Sequence, residues 1–175
     1  MKNSDYTRSA FKHVLAWLKN KNRQTSKIAM QKALFYLQEK GLPLRLDFQP
    51  YSYGPFSRQV METASDLERA GEISVDRTDY TPGPEFADTL PEEDGREINA
   101  HLERFCELLG HDFSFDNLEL VGTVLYCIQA LQENGLDADK DSVIREVEQW
   151  KGTKYAKSAI NSAYDALAEE FVKSD

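Results

Sequence analysis

Apolar residues recur every three or four positions along most of the chain, which is the spacing of amphipathic helices. Before residue 82 this pattern predicts three helices, over about 5–20, 26–40 and 55–70. Thr25 or Ser26 is placed to cap the second helix, and Gly41 is placed to end it. After residue 97 the same spacing predicts four more helices, the second of them capped by Asp116 or Asn117.

Shorter stretches show the alternation that is typical of strands. Apolar and polar residues alternate over 44–48, which predicts a short half-buried strand that Pro50 ends or keeps at a sheet edge. Pro55 suits the first turn of the following helix. Ile73 and Val75 are predicted to share one face of a strand, and Tyr80 begins its return partner.

These elements predict a mainly α protein with a small antiparallel β element. The order helix, helix, strand, helix and strand pair predicts a winged-helix-like N-terminal half, followed by a helical C-terminal half. We divide the chain into an N-terminal region of residues 1–81, an acidic, proline-containing linker or loop of residues 82–96, and a helical C-terminal region of residues 97–175. The two larger regions are expected to pack together as one unit.

Length and composition fit an ordinary globular protein. The 175 residues are 41% apolar and 29% charged, enough for one domain or two small lobes with a common core. No apolar run approaches the roughly 18–20 residues that a membrane helix needs, and the first residues lack the apolar stretch of a secretory signal. We therefore expect a cytoplasmic protein with no membrane partner.

The net charge of −9 is distributed unevenly. Residues 1–61 carry a net charge of +8 and the rest of the chain −17. The basic segment either meets a polyanion or is neutralised by the acidic segment, within one fold or across a dimer. We favour neutralisation. The predicted helix 55–70 has a net charge of −1, which disfavours DNA binding through the usual winged-helix recognition helix.

The sequence contains no motif for covalent chemistry. Nine scattered glycines form neither a phosphate loop nor a dinucleotide fingerprint, and no serine lies in a nucleophile elbow. The three histidines and the two cysteines, Cys106 and Cys127, lack the spacing of metal ligands. We therefore predict no enzyme, no catalytic residue, no cofactor and no metal. An active site assembled only in three dimensions is a remaining hypothesis.

Four aromatic residues cluster in the sequence near the predicted junction of strand and helix: Phe48, Tyr51, Tyr53 and Phe56. Two interpretations are open. The rings pack as core, or some stay exposed and form a hot spot for a protein partner, since tyrosine offers large contact area at low entropic cost.

Several stretches also carry a family resemblance. In the N-terminal half they are Lys27-Ile-Ala-Met-Gln-Lys-Ala-Leu-Phe-Tyr-Leu-Gln, Tyr53-Gly-Pro-Phe-Ser and Leu67-Glu-Arg-Ala-Gly-Glu-Ile. This order of helix, Tyr-Gly-Pro turn and helix resembles the Panacea domain family, which includes SocA-like antitoxins and phage-associated relatives. The stretches Leu118-Glu-Leu-Val-Gly-Thr-Val-Leu-Tyr and Val147-Glu-Gln-Trp-Lys look similar to YwgA-type proteins. The chain departs from the family pattern at residues 28–30 and in the acidic segment 82–96.

The resemblance implies a non-enzymatic binder, either an antitoxin or an adaptor that presents a toxin to a protease. Its helix motif matches Gln31 and Lys32, and its turn matches Tyr53, Gly54 and Pro55, which are expected to shape the site. Adding the aromatic cluster, we expect partner binding at the following residues: Gln31, Lys32, Tyr51, Tyr53, Gly54, Pro55 and Phe56. The expected partner is a protein, either a toxin or a protease, and a homo-oligomer is left open. The alternative function is a DNA-binding regulator that uses the basic N-terminal half.

Overall fold

The computed structural model describes residues 3–173, so the first two residues of the N-terminal region and the last two of the C-terminal region lie outside it. Within this range the protein is 62% helical, with seven helices and two antiparallel strand pairs, which confirms the predicted mainly α class. The elements in chain order are α1 (Asn3–Asn20), α2 (Lys27–Glu39), β1 (Gln49–Tyr51), β2 (Gly54–Phe56), α3 (Arg58–Arg69), β3 (Ile73–Asp76), β4 (Asp79–Pro82), α4 (Glu92–Leu108), α5 (Phe115–Glu133), α6 (Lys140–Lys151) and α7 (Lys157–Phe171).

The helices α1, α2 and α3 and the β3–β4 hairpin follow the order of a winged-helix unit. A reduced third strand adds to the hairpin just before α2. There the Tyr80 amide donates to the Thr25 carbonyl at 2.9 Å, and the Lys27 amide donates to the Thr78 carbonyl at 3.1 Å. Ile73 is buried, but Val75, on the same strand, is 40% exposed. The base of the β3–β4 hairpin is therefore packed against the protein, and its turn is exposed to solvent.

The predicted strand over residues 44–48 is wrong. Its side chains alternate in burial as expected, with Leu44, Leu46 and Phe48 buried, but its backbone is irregular and Arg45 has a φ of 55°. The side-chain amide of Gln38 takes the place of a partner strand. Its Oε1 accepts from the Leu46 amide at 2.7 Å and its Nε2 donates to the Leu46 carbonyl at 2.9 Å.

The strand pair of this region lies further along the chain, in β1 and β2. Its register pairs Gln49 with Phe56, Pro50 with Pro55 and Tyr51 with Gly54. The expectation that Pro55 begins a helix is wrong as well. It lies in β2, where its missing amide costs no inter-strand hydrogen bond at a short edge, and α3 begins only at Arg58 after Ser57.

Two further boundaries differ from the prediction for electrostatic and capping reasons. Residues 92–96, assigned to the linker, form the start of α4, where three acidic residues in the first turn suit the positive end of the helix dipole. The helix α5 is capped by Ser114, whose hydroxyl accepts from the Asn117 amide, and not by Asp116 or Asn117. Ser26 and Gly41 (φ 106°) bound α2 as predicted.

The helices α2 and α5 lie side by side at the centre of the molecule. α2 packs against α1, α4 and α5, while α5 packs against α2, α6, α7 and β2. Buried apolar residues from both the N-terminal and the C-terminal regions belong to one hydrophobic cluster. Among residues 3–173, no helix has the length and hydropathy needed to cross a membrane.

Ion pairs connect the basic and acidic segments of the chain. Lys40 Nζ lies 3.2 Å from a Glu170 carboxylate oxygen, and Lys21 Nζ lies 3.3 Å from one of Glu103. The Glu170 carboxylate also accepts from Arg104 and from the Tyr36 hydroxyl. These contacts support the interpretation that the opposite charges neutralise each other within one fold.

Candidate functional site

The β1–β2 hairpin presents the predicted Tyr-Gly-Pro turn, and glycine is required at its centre. Gly54 has a φ of 94°, which side chains rarely adopt. A Cβ there would lie 3.1 Å from Thr123 Oγ1 and 3.3 Å from Lys32 Cε. Both Gly54 and Pro55 are buried. The two residues bring the hairpin backbone against α2 and α5 and place the turn residues Ser52 and Tyr53 at the surface.

Gln31 fixes the point where the hairpin leads into α3. Its side-chain Oε1 accepts from the Ser57 amide at 2.9 Å, and its Nε2 donates to the Ser57 carbonyl at 3.0 Å. The Gln31 residue is only 4% exposed. A buried amide that satisfies both backbone groups of one residue replaces a strand pairing at this position.

Lys32 holds the hairpin from the same helix, one residue further on. Its Nζ donates to the Pro55 carbonyl at 2.7 Å, and the residue is 3% exposed. Burial lowers the pKa of Lys32 to about 7, with the nearby charge of Glu119 opposing this effect and that of Lys151 adding to it. Gly122 makes room for the lysine stem, since a Cβ at 122 would lie 2.9 Å from Lys32 Cδ.

A fully buried carboxylate, Glu119 of α5, lies behind the hairpin. Lys154 Nζ lies 2.7 Å from its Oε2, Lys151 Nζ lies 3.6 Å from its Oε1, and the Tyr155 hydroxyl donates to Oε2. Burial alone would raise the pKa of Glu119, but the hydrogen bonds from Lys154 and Tyr155, together with the lysine charges, lower it. Glu119 therefore remains ionised and ties the connection between α6 and α7 to α5.

The end of α6 holds the hairpin turn from the other side. Trp150 Nε1 donates to the Tyr51 carbonyl at 3.1 Å, and Lys151 Nζ donates to the Ser52 carbonyl. Together with the hydrogen bond from Lys32 to the Pro55 carbonyl, these contacts hold the hairpin at three main-chain carbonyls, those of Tyr51, Ser52 and Pro55. The hairpin is thus rigidly positioned without using its own side chains.

The hairpin side chains Tyr51, Tyr53 and Phe56, together with Phe115 of α5 and Ile28 of α2, define an aromatic groove. Tyr53 and Phe115 pack edge to face with centroids 4.9 Å apart, and Tyr51 and Phe56 do so at 5.4 Å. Tyr51, Tyr53 and Phe115 are 47%, 57% and 44% exposed. The groove has a volume of about 330 Å³, and Lys27, Gln31, Lys32 and Ser52 complete its lining.

A second, wider cleft of about 700 Å³ adjoins the aromatic groove. The two share Lys27, Ile28 and Phe115, so they form one continuous depression between the β1–β2 turn and the β3–β4 hairpin. Lys19 and the β3–β4 turn, including Arg77, line the far end of the wider cleft.

No protein-family model and no curated protein matches the chain.

The structure brings the predicted site residues together. Of the seven, Gln31, Lys32, Tyr51, Tyr53 and Phe56 line the aromatic groove, while Gly54 and Pro55 lie buried beneath it. Phe48 packs as core, as the first interpretation of the aromatic cluster expects, whereas Tyr51 and Tyr53 are exposed, as the second requires. Prediction from the sequence missed Phe115 and Ile28, which tertiary packing adds to the walls.

The histidines and cysteines contribute to packing and polar contacts. His13 lies between the 83–91 loop and α4, with Nδ1 2.8 Å from Asp88 and Nε2 2.7 Å from Asn99. Both thiols are buried, and burial raises the pKa of Cys127 to about 12. Within residues 3–173, no group of three or more His, Cys, Asp or Glu side chains has an arrangement that could hold a metal ion.

The charge on α3 bears on the nucleic-acid alternative. Asp66 of α3 accepts from Arg69 of the same helix and from Arg8 of α1. Arg69 and Arg8 thus pair with one carboxylate at the surface of the protein. This arrangement disfavours a recognition role for α3.

Proposed function

We propose that this chain is a non-enzymatic protein-binding module that holds a segment of a partner protein in the aromatic groove. One observation carries the proposal: Tyr51 and Tyr53, about half exposed, lie on a hairpin whose backbone is held by Lys32 and Trp150. A rigid backbone that presents exposed tyrosines is typical of a binding hot spot, because little conformational entropy is lost on association.

The resemblance supports a specific kind of partner. The stretches that resemble the Panacea family, residues 27–38 and 53–57, include the helix and the turn that meet at the groove. We propose a toxin as the partner that the chain neutralises, or that it presents to a protease as an adaptor. Both roles need a stable complex with one protein.

Site-specific crosslinking in the native host tests the proposal. A photoreactive amino acid replaces Tyr53, and the matched control carries it at Leu136, which is 58% exposed outside the groove. We expect one defined protein adduct from position 53 and none of the same mass from position 136. Tyr53→Ala should weaken binding of the purified partner about 30-fold, the effect of a hot-spot tyrosine of about 2 kcal/mol.

The biological role is tested with the gene adjacent to the one for this chain. The proposal expects that gene to arrest growth when expressed alone, and expects rescue by the wild-type chain but not by Tyr53→Ala. A harmless neighbouring gene would remove the antitoxin role. The absence of any adduct specific to position 53 would remove the binding module itself.

A further inference from the structure

The ammonium group of Lys32 is almost completely buried and incompletely satisfied. A lysine ammonium carries three N–H donors, yet among the described residues the hydrogen bond to the Pro55 carbonyl is the only one that Lys32 Nζ makes. The side chain also belongs to the groove lining. A buried donor without a partner is costly, so an acceptor supplied by an occupant of the groove stabilises the site.

The lining of the aromatic groove carries the positive charge of Lys27, and that of Lys32 when it is protonated, and contains no carboxylate among the described residues. Lys27 and Lys32 line it, whereas the nearby acid Glu119 is buried behind the hairpin and engaged with Lys154 and Tyr155. The exposed Lys27 makes no ion pair with a described carboxylate. The groove thus presents positive charge, which favours an anionic occupant there, whereas the rest of a chain of net charge −9 repels one.

The position of Lys27 adds to this excess of positive charge. It is the first residue of α2, and α2 has no acidic residue in its first turn. The helix dipole places a partial positive charge at the same end, so a lysine is unfavourable there in the free protein. A carboxylate bound beside Lys27 would interact favourably both with the lysine charge and with the partial positive charge at the start of α2.

We propose that the occupant of the groove is a peptide segment that carries a carboxylate beside an aromatic or branched aliphatic side chain. Lys32 and Lys27 bind the carboxylate, and Tyr51, Tyr53 and Phe115 pack on the apolar side chain. This inference rests on the proposed function and specifies the chemistry of the partner. A nucleic acid is disfavoured, because the β3–β4 end of the cleft places Asp76 and Asp79 among Lys19 and Arg77 and so gives continuous phosphates no uniformly basic path.

Peptide selection tests the inference on the full chain. Random 12-residue peptides displayed on phage are selected on the wild-type protein and counter-selected on Tyr53→Ala, which removes binders outside the groove. We expect the enriched peptides to share an apolar residue with Asp or Glu within three positions. For each such peptide, replacing that acid with its amide should weaken binding about tenfold or more, measured by fluorescence anisotropy at low salt.

Two protein variants assign the carboxylate to its lysines. Lys27→Glu should weaken the acidic peptide about tenfold, whereas Lys157→Glu should leave its affinity unchanged. The control is matched, since Lys157 is the first residue of α7, as Lys27 is of α2, and lies outside the groove. Lys32→Met should narrow the difference between the acid and amide peptides, because only Lys27 then remains to bind the carboxylate. Its fold is checked by circular dichroism, and Lys27→Glu supplies an independent test.

The outcomes separate this inference from the proposed function. If the selected peptides depend on Tyr53 but are neutral or basic, the inferred carboxylate recognition is wrong and the proposed binding module stands. Acidic peptides that bind Lys27→Glu and wild type equally would lead to the same conclusion. A selection that yields no peptide dependent on Tyr53 would overturn both. If a 20-nucleotide DNA strand binds the wild-type chain but not Lys27→Glu, the cleft binds nucleic acid and the inference of a peptide occupant is wrong.

Discussion

Replacing Gly122 with alanine should destabilise the protein, although the same change in most helices is stabilising. Gly122 lies within α5, where alanine is favoured over glycine by about 0.5–1 kcal/mol. The new Cβ, however, would lie 2.9 Å from Lys32 Cδ and 3.2 Å from Lys32 Cε. The lysine stem is buried and held by the Pro55 carbonyl, so it has little freedom to move away.

The net effect is set by the balance of these two contributions. Inserting a methyl group into a packed interior costs about 1–3 kcal/mol. Subtracting the helix preference leaves a loss of roughly 0–2.5 kcal/mol in the free energy of unfolding, centred on about 1 kcal/mol. In a Lys32→Ala background the nearest remaining contact is Pro55 Cδ at 3.4 Å, an ordinary distance. There Gly122→Ala should stabilise the chain by about 0.5–1 kcal/mol.

A double-mutant cycle by urea denaturation measures the coupling, with the fluorescence of Trp150 as one probe close to the hairpin. The expected coupling energy between positions 122 and 32 is about 2 kcal/mol, well above the error of such cycles. Stabilisation of the wild-type chain by Gly122→Ala would refute the reasoning, because it would mean that the Lys32 stem moves freely. Additive effects of the two substitutions would refute it too.

Three further predictions concern the buried polar groups. The free energy of unfolding should rise from pH 7 to pH 9, because Lys32 in the folded chain, with a pKa of about 7 against 10.5 ordinarily, binds fewer protons than in the unfolded chain. This rise should disappear in Lys32→Met. Urea midpoints at both pH values measure the effect. Gln31→Leu should cost about 2–4 kcal/mol by leaving both backbone groups of Ser57 unsatisfied, whereas the exposed Gln59→Leu costs under about 1 kcal/mol; urea denaturation of the two variants compares them. Cys127, its pKa raised to about 12 by burial, should resist iodoacetamide at pH 8 until urea unfolds the chain, as followed by mass spectrometry.

Helices and their ends could be predicted because their signals are local. The apolar spacing of α2, the hydroxyl of Ser26 and the glycine at 41 lie within a few residues of the features they specify. The segment 44–48 could not be assigned correctly, because alternating burial also arises in irregular chain. What decides its conformation is the amide of Gln38, a hydrogen-bonding partner with no repeating pattern.

The candidate site was predictable only on its N-terminal side. The family resemblance indicated Gln31 and Lys32 together with the turn, and the aromatic cluster indicated Tyr51 and Phe56. Apart from Lys27 and Ile28 of α2, the residues that complete the site come from α5 and α6, and no sequence spacing joins those to the hairpin. One local signal does point to α5: Glu119 interrupts an apolar run, and an acid in such a run is a candidate for a paired buried charge.

The hydrogen bonds that hold the β1–β2 hairpin end on main-chain carbonyls, at Tyr51, Ser52 and Pro55. Any residue supplies a carbonyl, so the scaffold places almost no demand on which side chains occupy positions 51 to 53. Recognition can therefore diversify at these positions while the fold stays constant, much as antibody loops vary on a conserved framework. Libraries randomised at 51, 52 and 53 should yield mostly folded proteins with new specificities.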